Sequence, residues 1–146
     1  MIGYELEKLI DNLEVVDEKI IVKDNLREII QAANEYEFDI LKSITAIDRQ
    51  DSGIELIYHI YSIKNEEDLY ISYTTRNNEV DTVSDIYKSA IAEENEIYDM
   101  FGITFVGNDI LKRLYMPEDW KGHPLRKDYI QDDTRLDWNG DNNTQT

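Results

Sequence analysis

The sequence has no cysteine in 146 residues. That excludes disulfides, iron–sulfur clusters held by this chain and thiolate zinc sites. Basic residues are scarce: 15 lysines and arginines stand against 32 aspartates and glutamates, for a net charge of −17. Such a charge argues against nucleic acid and against direct docking on anionic lipid. No apolar run approaches the roughly 20 residues that span a bilayer. Direct membrane insertion is therefore not expected, and any membrane association would come through partners. The opening MIGYELEKLIDNLE carries acids where a secretory or mitochondrial leader carries bases, so no leader is expected. There is no GxGxxG, no GxxxxGK[ST] and no GxSxG, which removes the dinucleotide, phosphate-loop and nucleophile-elbow readings. Only two histidines exist, His59 and His123. Nothing assembles a nucleophile, a base and an oxyanion site.

Hydrophobic residues make up 41% of the chain, enough to build the core of one ordinary domain. Leu6, Leu9, Ile10 and Leu13 recur at helical spacing and predict a helix over 4–13. A strand candidate, IIV, lies within 15–22. Asp24 is a candidate N-cap for a helix over 25–37, with Leu26, Ile29, Ile30 and Ala33 on one face. Three strands follow, at 42–49, 54–63 and 69–75, separated by turns at 51–53 and 65–68; they predict an antiparallel meander. The second of them is apolar or aromatic on both faces, as expected inside a sheet covered at least in part on both sides. Ser84 is read as the cap of a helix running to Phe101, with Gly102 as its stop. A short strand, ITFV, is expected at 103–106. The order gives an α+β two-layer domain, helices packed on a mixed or antiparallel sheet, over residues 1–106. Residues 107–129 hold both prolines and show no period, and read as an extended arm of the same domain. Residues 130–146 read as a polar, flexible tail.

The charge is uneven. Residues 1–111 carry 25 acids and 9 bases, whereas residues 112–127 carry five bases and two acids. One short basic segment interrupts an acidic protein, as either a solvated loop or a contact arm. The last helix holds an anomaly. Glu94 falls in the middle of the stripe formed by Ile86, Ala90, Ile97, Phe101, Tyr87, Tyr98 and Ile91, and a carboxylate facing a core is costly unless paired. Three readings stay open: the helix ends early and leaves Glu94 wet, Glu94 pairs with a base of the arm (Arg113, Arg126 or Lys127), or it is a catalytic acid or base. His59 reads as a core or sheet-surface histidine, and His123, in Gly122-His123-Pro124, as a hydrogen-bonding anchor of the arm.

Glu94-Asn95-Glu96-Ile97-Tyr98-Asp99-Met100-Phe101-Gly102-Ile103 resembles the E-R-E-x-Y-D-[ML]-[FY]-G-[IV] core of the 30 kDa (C-type) subunit family of NADH:quinone oxidoreductase, respiratory complex I. The likeness continues through Phe105, Gly107 and Leu111-Lys112-Arg113-Leu114. It then runs from Pro117 to Tyr129, where Trp120-Lys121-Gly122-His123-Pro124-Leu125-Arg126-Lys127-Asp128-Tyr129 resembles W-x-G-[HY]-P-L-R-K-D-[YF]. Leu41–Asp48 resembles L-x-x-[IL]-T-[AC]-x-D. The resemblance covers roughly residues 15–129. Three departures stand out: Asn95 replaces the family arginine, Ala92 a tryptophan, and Asn108-Asp109 the usual His-Pro. They keep open a homologous, shorter subunit of membrane-bound energy-converting [NiFe] hydrogenases. A non-redox acidic adaptor is the competing reading from another class.

The resemblance implies a scaffold subunit with no catalytic activity of its own and no flavin, metal or cluster. Iron–sulfur clusters, and nickel–iron in the hydrogenase case, would sit in partners. Those partners would be a large hydrogenase-like subunit (49 kDa, D type) and an iron–sulfur small subunit (B type). The complex would lie on the cytoplasmic side of the cell membrane. By the same resemblance, Arg126 and Lys127 would pair with partner carboxylates, and His123-Pro124 would fix the backbone path. Tyr98, Phe101 and Trp120 would anchor the arm or the interface, and Glu94, Glu96, Asp99, Arg113 and Asp128 complete the expected anchoring set.

Overall fold

The computed structural model describes residues 13–111, 116 and 121–127; the expected helix at 4–13 lies, but for Leu13, outside them. Among the described residues seven strands and two α-helices follow one another: β1 (Glu14–Val16), β2 (Lys19–Val22), α1 (Leu26–Glu35), β3 (Ile40–Asp48), β4 (Ile54–Ser62), β5 (Glu67–Thr75), β6 (Glu79–Asp81), α2 (Ala90–Phe101) and β7 (Thr104–Val106). Five strands make a sheet of order β1-β2-β5-β4-β3, and β6 pairs with β7 in a small parallel sheet. The α+β class expected from the pattern is the one observed, with the antiparallel meander β3-β4-β5 as its centre.

The pattern of two makes the core. Leu56, Tyr58 and Ile60 of β4, and Leu69 and Ile71 of β5, point to one face and are buried. They join Leu26, Ile29, Ile30 and Ala33 of α1 with Ala90 and Ile97 of α2 in one cluster, and Val80 and Phe105 attach the small sheet to it. Each such large apolar side chain contributes about 1.5–3 kcal/mol on burial. The opposite positions of β4 are Glu55, Ile57, His59 and Tyr61. Ile57, His59 and Tyr61 are partly buried, whereas Glu55 is buried and held by Lys19 at 2.9 Å, Arg49 at 2.7 Å and Ser72 at 2.6 Å. Burial pushes the Glu55 carboxyl up, but these three donors outweigh it and hold the pKa at about 2. His59 stacks on Tyr70 and lies 2.7 Å from Asp68. It is a sheet-surface histidine.

Several boundaries differ from the sequence reading, each for a local reason. The segment read as one strand is a hairpin, β1 with β2, closed by Asp17 and Glu18, both with positive φ. Two left-handed residues are what a two-residue hairpin loop needs, and the usual Asn-Gly signature is absent. β2 then pairs in parallel with β5, next to which the chain returns only after α1, β3 and β4. The first helix starts at Leu26 with Asn25, not Asp24, at its N-cap position. It ends with Phe38 N bonding Ala33 O and Glu37 N bonding Asn34 O while Glu37 takes φ +76°. That is a Schellman closure made without glycine.

The last helix begins at Ala90, not at Ser84. The preceding residues are drawn into turns: Arg27 binds Asp85 at 2.8 Å, and the Tyr87 hydroxyl donates to Phe38 O. The Thr82 hydroxyl, rather than Ser84, accepts the local backbone N–H. α2 lies along the outer edge of β3, where Glu93 accepts Ile44 N and Ser89 donates to Leu41 O. The edge is thereby closed to further strand pairing. No helix among the described residues is long and apolar enough to cross a membrane.

Candidate functional site

Glu94 has no exposed surface. Its Oε1 accepts from Thr82 Oγ1 at 2.6 Å and Asn108 Nδ2 at 2.8 Å, and its Oε2 from Val83 N at 2.9 Å. The carboxyl thus ties the exit of β6, the middle of α2 and the turn after β7. Burial raises its pKa above the ordinary carboxylate value, and the three donors offset this only in part. Two expectations are corrected. α2 runs on past Glu94, so the residue is not wet. Its partners are neutral groups within the domain, not Arg126 or Lys127; Arg113, the third base expected, lies outside the described residues. The physical reason is proximity: the chain leaving β6 passes directly beside the helix, and a short hydroxyl, a backbone N–H and an amide reach the carboxyl first. Asn108, one of the departures from the family pattern, supplies one of these donors.

The arm meets the other end of α2. A helix leaves its last four carbonyls without partners of its own. Here all four are satisfied. Tyr98 O accepts Gly102 N at 2.9 Å and Met100 O accepts Leu125 N at 2.9 Å. Asp99 O lies 3.0 Å from His123 Nδ1, and Phe101 O accepts Arg126 Nη1 at 2.8 Å. Because a carbonyl can only accept, His123 carries its proton on Nδ1. The arginine charge also sits where the helix dipole favours a cation. A turn makes this possible: Arg126 N bonds His123 O at 3.1 Å, with Pro124 at the position where its fixed φ suits the turn.

Gly102 allows the close approach. It has φ +78°, and a Cβ there would stand 2.6 Å from His123 Cδ2. Two buried carboxylates fasten the arm further. Asp99 Oδ2 accepts Met116 N at 3.0 Å, and Asp48 accepts Gln50 N and Lys127 N, each at 2.8 Å. The bond from Lys127 N, with that from Gln50 N, holds the Asp48 pKa below its usual range.

Of the other candidates, Tyr98 is half-buried with its ring 6.2 Å from that of His123, Phe101 is buried, and Pro124 is half-buried in the turn. Glu96 is exposed on α2. Trp120 and Asp128 lie outside the described residues, with Arg113. Sequence reasoning did not name Thr82, met Asn108 only as a departure from the family pattern, and met Asp48 only as the end of a matched stretch. For Asp48 the signal was present, because it closes the Leu41–Asp48 stretch that resembles the family. Among the described residues no three side chains of metal-ligating type converge.

A compact α+β domain whose terminal arm is bound to its own helix end defines the class; the family follows from comparison. The model of the respiratory-chain NADH dehydrogenase 30 kDa subunit family matches residues 20–135, and the chain belongs to that family. The C-type subunit of NADH-quinone oxidoreductase from Moorella thermoacetica is 31% identical over 134 residues, covering 86% of this chain and 90% of that one. Its counterpart from Citrifermentans bemidjiense is 35% identical over 114 residues, covering 75% and 71%. The C/D-type subunit from Phocaeicola vulgatus is 40% identical over 94 residues, 62% of this chain but 18% of that longer one. This chain thus spans about a fifth of the C/D relatives it matches. The fold matches Nqo5, solved as a trypsin-resistant fragment, with a TM-score of 0.64 at 19% identity, covering 71% of this chain and 92% of that one.

Proposed function

We propose that this chain is a scaffold subunit without a cofactor, in the peripheral arm of a complex I-type oxidoreductase. It supports electron transfer coupled to ion translocation and catalyses nothing alone. The observation that carries this reading is the family match over residues 20–135, which takes in both the helix end and the arm that binds it. The cofactors sit in the partners, a large hydrogenase-like subunit of the D type and an iron–sulfur subunit of the B type. The C/D relatives support the first partner, since by name they join the C and D types in one chain. The complex holds this chain on the cytoplasmic side of the membrane.

Purification from solubilised membranes of the native host tests the reading. Co-elution with a D-type and an iron–sulfur subunit is expected. A stable monomer in the membrane-free fraction would instead indicate an acidic adaptor. Four nickel-binding cysteines in the co-eluting large subunit would move the assignment to a hydrogenase, and their absence would leave quinone as the acceptor.

A further inference from the structure

We propose that a cleft at one end of the main sheet, bounded by Lys23 and Arg76, binds a phosphate-type dianion. The proposal is independent of the scaffold reading above. The cleft arises from a step in the sheet. β2 ends at Val22, which lies opposite Tyr73 of β5 in parallel register, and the chain then turns away into α1. Beyond Tyr73, β5 runs on to Thr75 paired with β4 alone. The turn that precedes β4, at Gln50–Ser52, closes the remaining side. Gly53 packs this turn against the end of β5. It has φ +104°, and a Cβ there would stand 2.4 Å from Thr75 O and 3.2 Å from the side chains of Thr74 and Arg76. The space left is about 680 Å³, within the range of about 300–1,000 Å³ usual for small-molecule sites.

The polar side chains at its rim are donors. Lys23, Ser52, Thr74, Arg76 and Asn77 line it and are exposed. Lys23 and Arg76 form no ion pair or side-chain hydrogen bond with any residue of the chain. Asn77 Oδ1 accepts Glu79 N at 3.1 Å, which fixes the amide and leaves its NH2 as the group open to a ligand. Among the described residues no aspartate or glutamate lines the cleft.

That absence sets the site apart in a chain with 32 acids. Lys88, Lys121 and Lys127 are also exposed cations without an ion pair among the described residues, so an unpaired cation alone means little. In the two other clefts the cations stand beside acids: Arg27 with Glu28, Glu35 and Asp81, and Arg126 and Lys127 with Asp48 and Asp51. Asp51 thus serves the neighbouring cleft, although it adjoins Ser52. Two cations, two hydroxyls and an amide without an acid match a ligand of charge −2 with several acceptor oxygens. The Arg76 fork can take two of those oxygens and Lys23 supplies the second charge. The net charge of −17 does not cancel this, because acids more than about 8–10 Å away are screened at physiological ionic strength. The same net charge disfavours approach to an anionic bilayer, so a small soluble phosphate compound is the expected source rather than a lipid headgroup.

NMR titration of the ¹⁵N-labelled full chain with inorganic phosphate tests this, at about pH 8 where the dianion predominates and at ionic strength held constant with chloride. Saturable shifts are expected at the amides of Lys23, Ser52, Arg76 and Asn77, half complete near about 1 mM. Lys23→Gln/Arg76→Gln should weaken binding at least about tenfold, and so should Ser52→Asp, which places an acid in the cleft. Lys88→Gln should leave it unchanged. All four positions are exposed, and the dispersion of each spectrum verifies that the variant folds. Shifts that do not saturate, that are as large at Lys42 and Lys88 as in the cleft, or that persist in both cleft variants would overturn the site. Sedimentation with phosphatidate-containing vesicles separates the sources. No co-sedimentation beside saturable phosphate binding supports the soluble ligand. Co-sedimentation that the cleft variants abolish keeps the site but assigns it to a lipid headgroup. Binding of neither probe overturns the proposal.

Discussion

Replacing Glu94 with Gln removes one charge and changes one acceptor into a donor, at a site with no exposed surface. The wild-type carboxyl accepts three bonds, from Thr82, Asn108 and Val83 N. An amide can serve Thr82 and Asn108 through its oxygen, but its NH2 then faces the Val83 N–H. Flipped, it serves Val83 and faces the Asn108 amide instead. Either way a buried donor loses its acceptor, at about 1–3 kcal/mol. Relief of carboxylate burial offsets part of this at neutral pH. A net loss of about 1–2 kcal/mol is therefore expected at pH 7, read as a drop of roughly 3–10 °C in Tm.

The pH dependence gives a second, independent check. The Glu94 pKa is raised in the fold above its ordinary value of 4.5. Its contribution is thus fully present below about pH 4.5 and is lost as pH rises through the higher folded value. Glutamine cannot titrate, and the other carboxylates are common to both proteins. The stability difference between wild type and variant, measured by urea unfolding, should therefore widen as the pH is lowered from 7 toward 4.5. A variant as stable as wild type at pH 7, or a difference that narrows on acidification, would refute the argument.

Glu55→Gln should behave with the opposite sign. The folded pKa is about 2 against an ordinary 4.5, so the glutamate's contribution is present above pH 4.5 and is lost as pH falls toward 2. A loss of about 2–3 kcal/mol at pH 7, shrinking between pH 4.5 and 2 in thermal melts, is expected. Asp48→Asn keeps one acceptor for two N–H groups and should speed exchange of the Lys127 amide at pH 7. In wild type the same acceleration should set in as pH falls below the ordinary 3.8 through the lower folded value. The Tyr58 hydroxyl is buried and has no hydrogen-bond partner among the described residues. Tyr58→Phe should therefore leave stability unchanged or raise it by up to about 1 kcal/mol, and a loss beyond 1 kcal/mol in denaturant melts would reveal a missing partner.

The legible parts of the fold are those in which burial writes a period. Leu56, Tyr58 and Ile60 alternate with Glu55, Ile57 and His59, and Leu26, Ile29, Ile30 and Ala33 recur at helical spacing. The illegible parts are those set by backbone conformation against residue type. Asp17 and Glu18 close a hairpin, and Glu37 closes a helix, in the left-handed region that glycine or asparagine usually marks. The late start of α2 follows from contacts that no local pattern encodes, of Asp85 to Arg27 in α1 and of Tyr87 to Phe38 just beyond it.

At the candidate site, Glu94 was recognisable as a buried acid because it interrupts an apolar stripe. Its partners were not, because Thr82 and Asn108 are ordinary surface-type residues until the turns after β6 and β7 bring them together. The proposed bases looked better only because charge is visible in a sequence and proximity is not.

The density of the motif at residues 94–102 and 122–127 has a physical account that needs no partner. A helix that ends beside a buried carboxyl and a two-residue proline turn has four carbonyls to satisfy and little room in which to do it. Gly102 supplies one bond and the space, His123 and Arg126 supply two side-chain donors, and the Pro124 turn aims the Leu125 N–H at the remaining carbonyl. Changing any of these alone leaves an orphaned carbonyl or a clash. The same constraint does not reach the Leu125 side chain, which is 56% exposed although its backbone N–H is bound. Replacing His123 or Arg126 should therefore lower the melting temperature, whereas replacing the exposed Leu125 side chain with Ala should leave it unchanged.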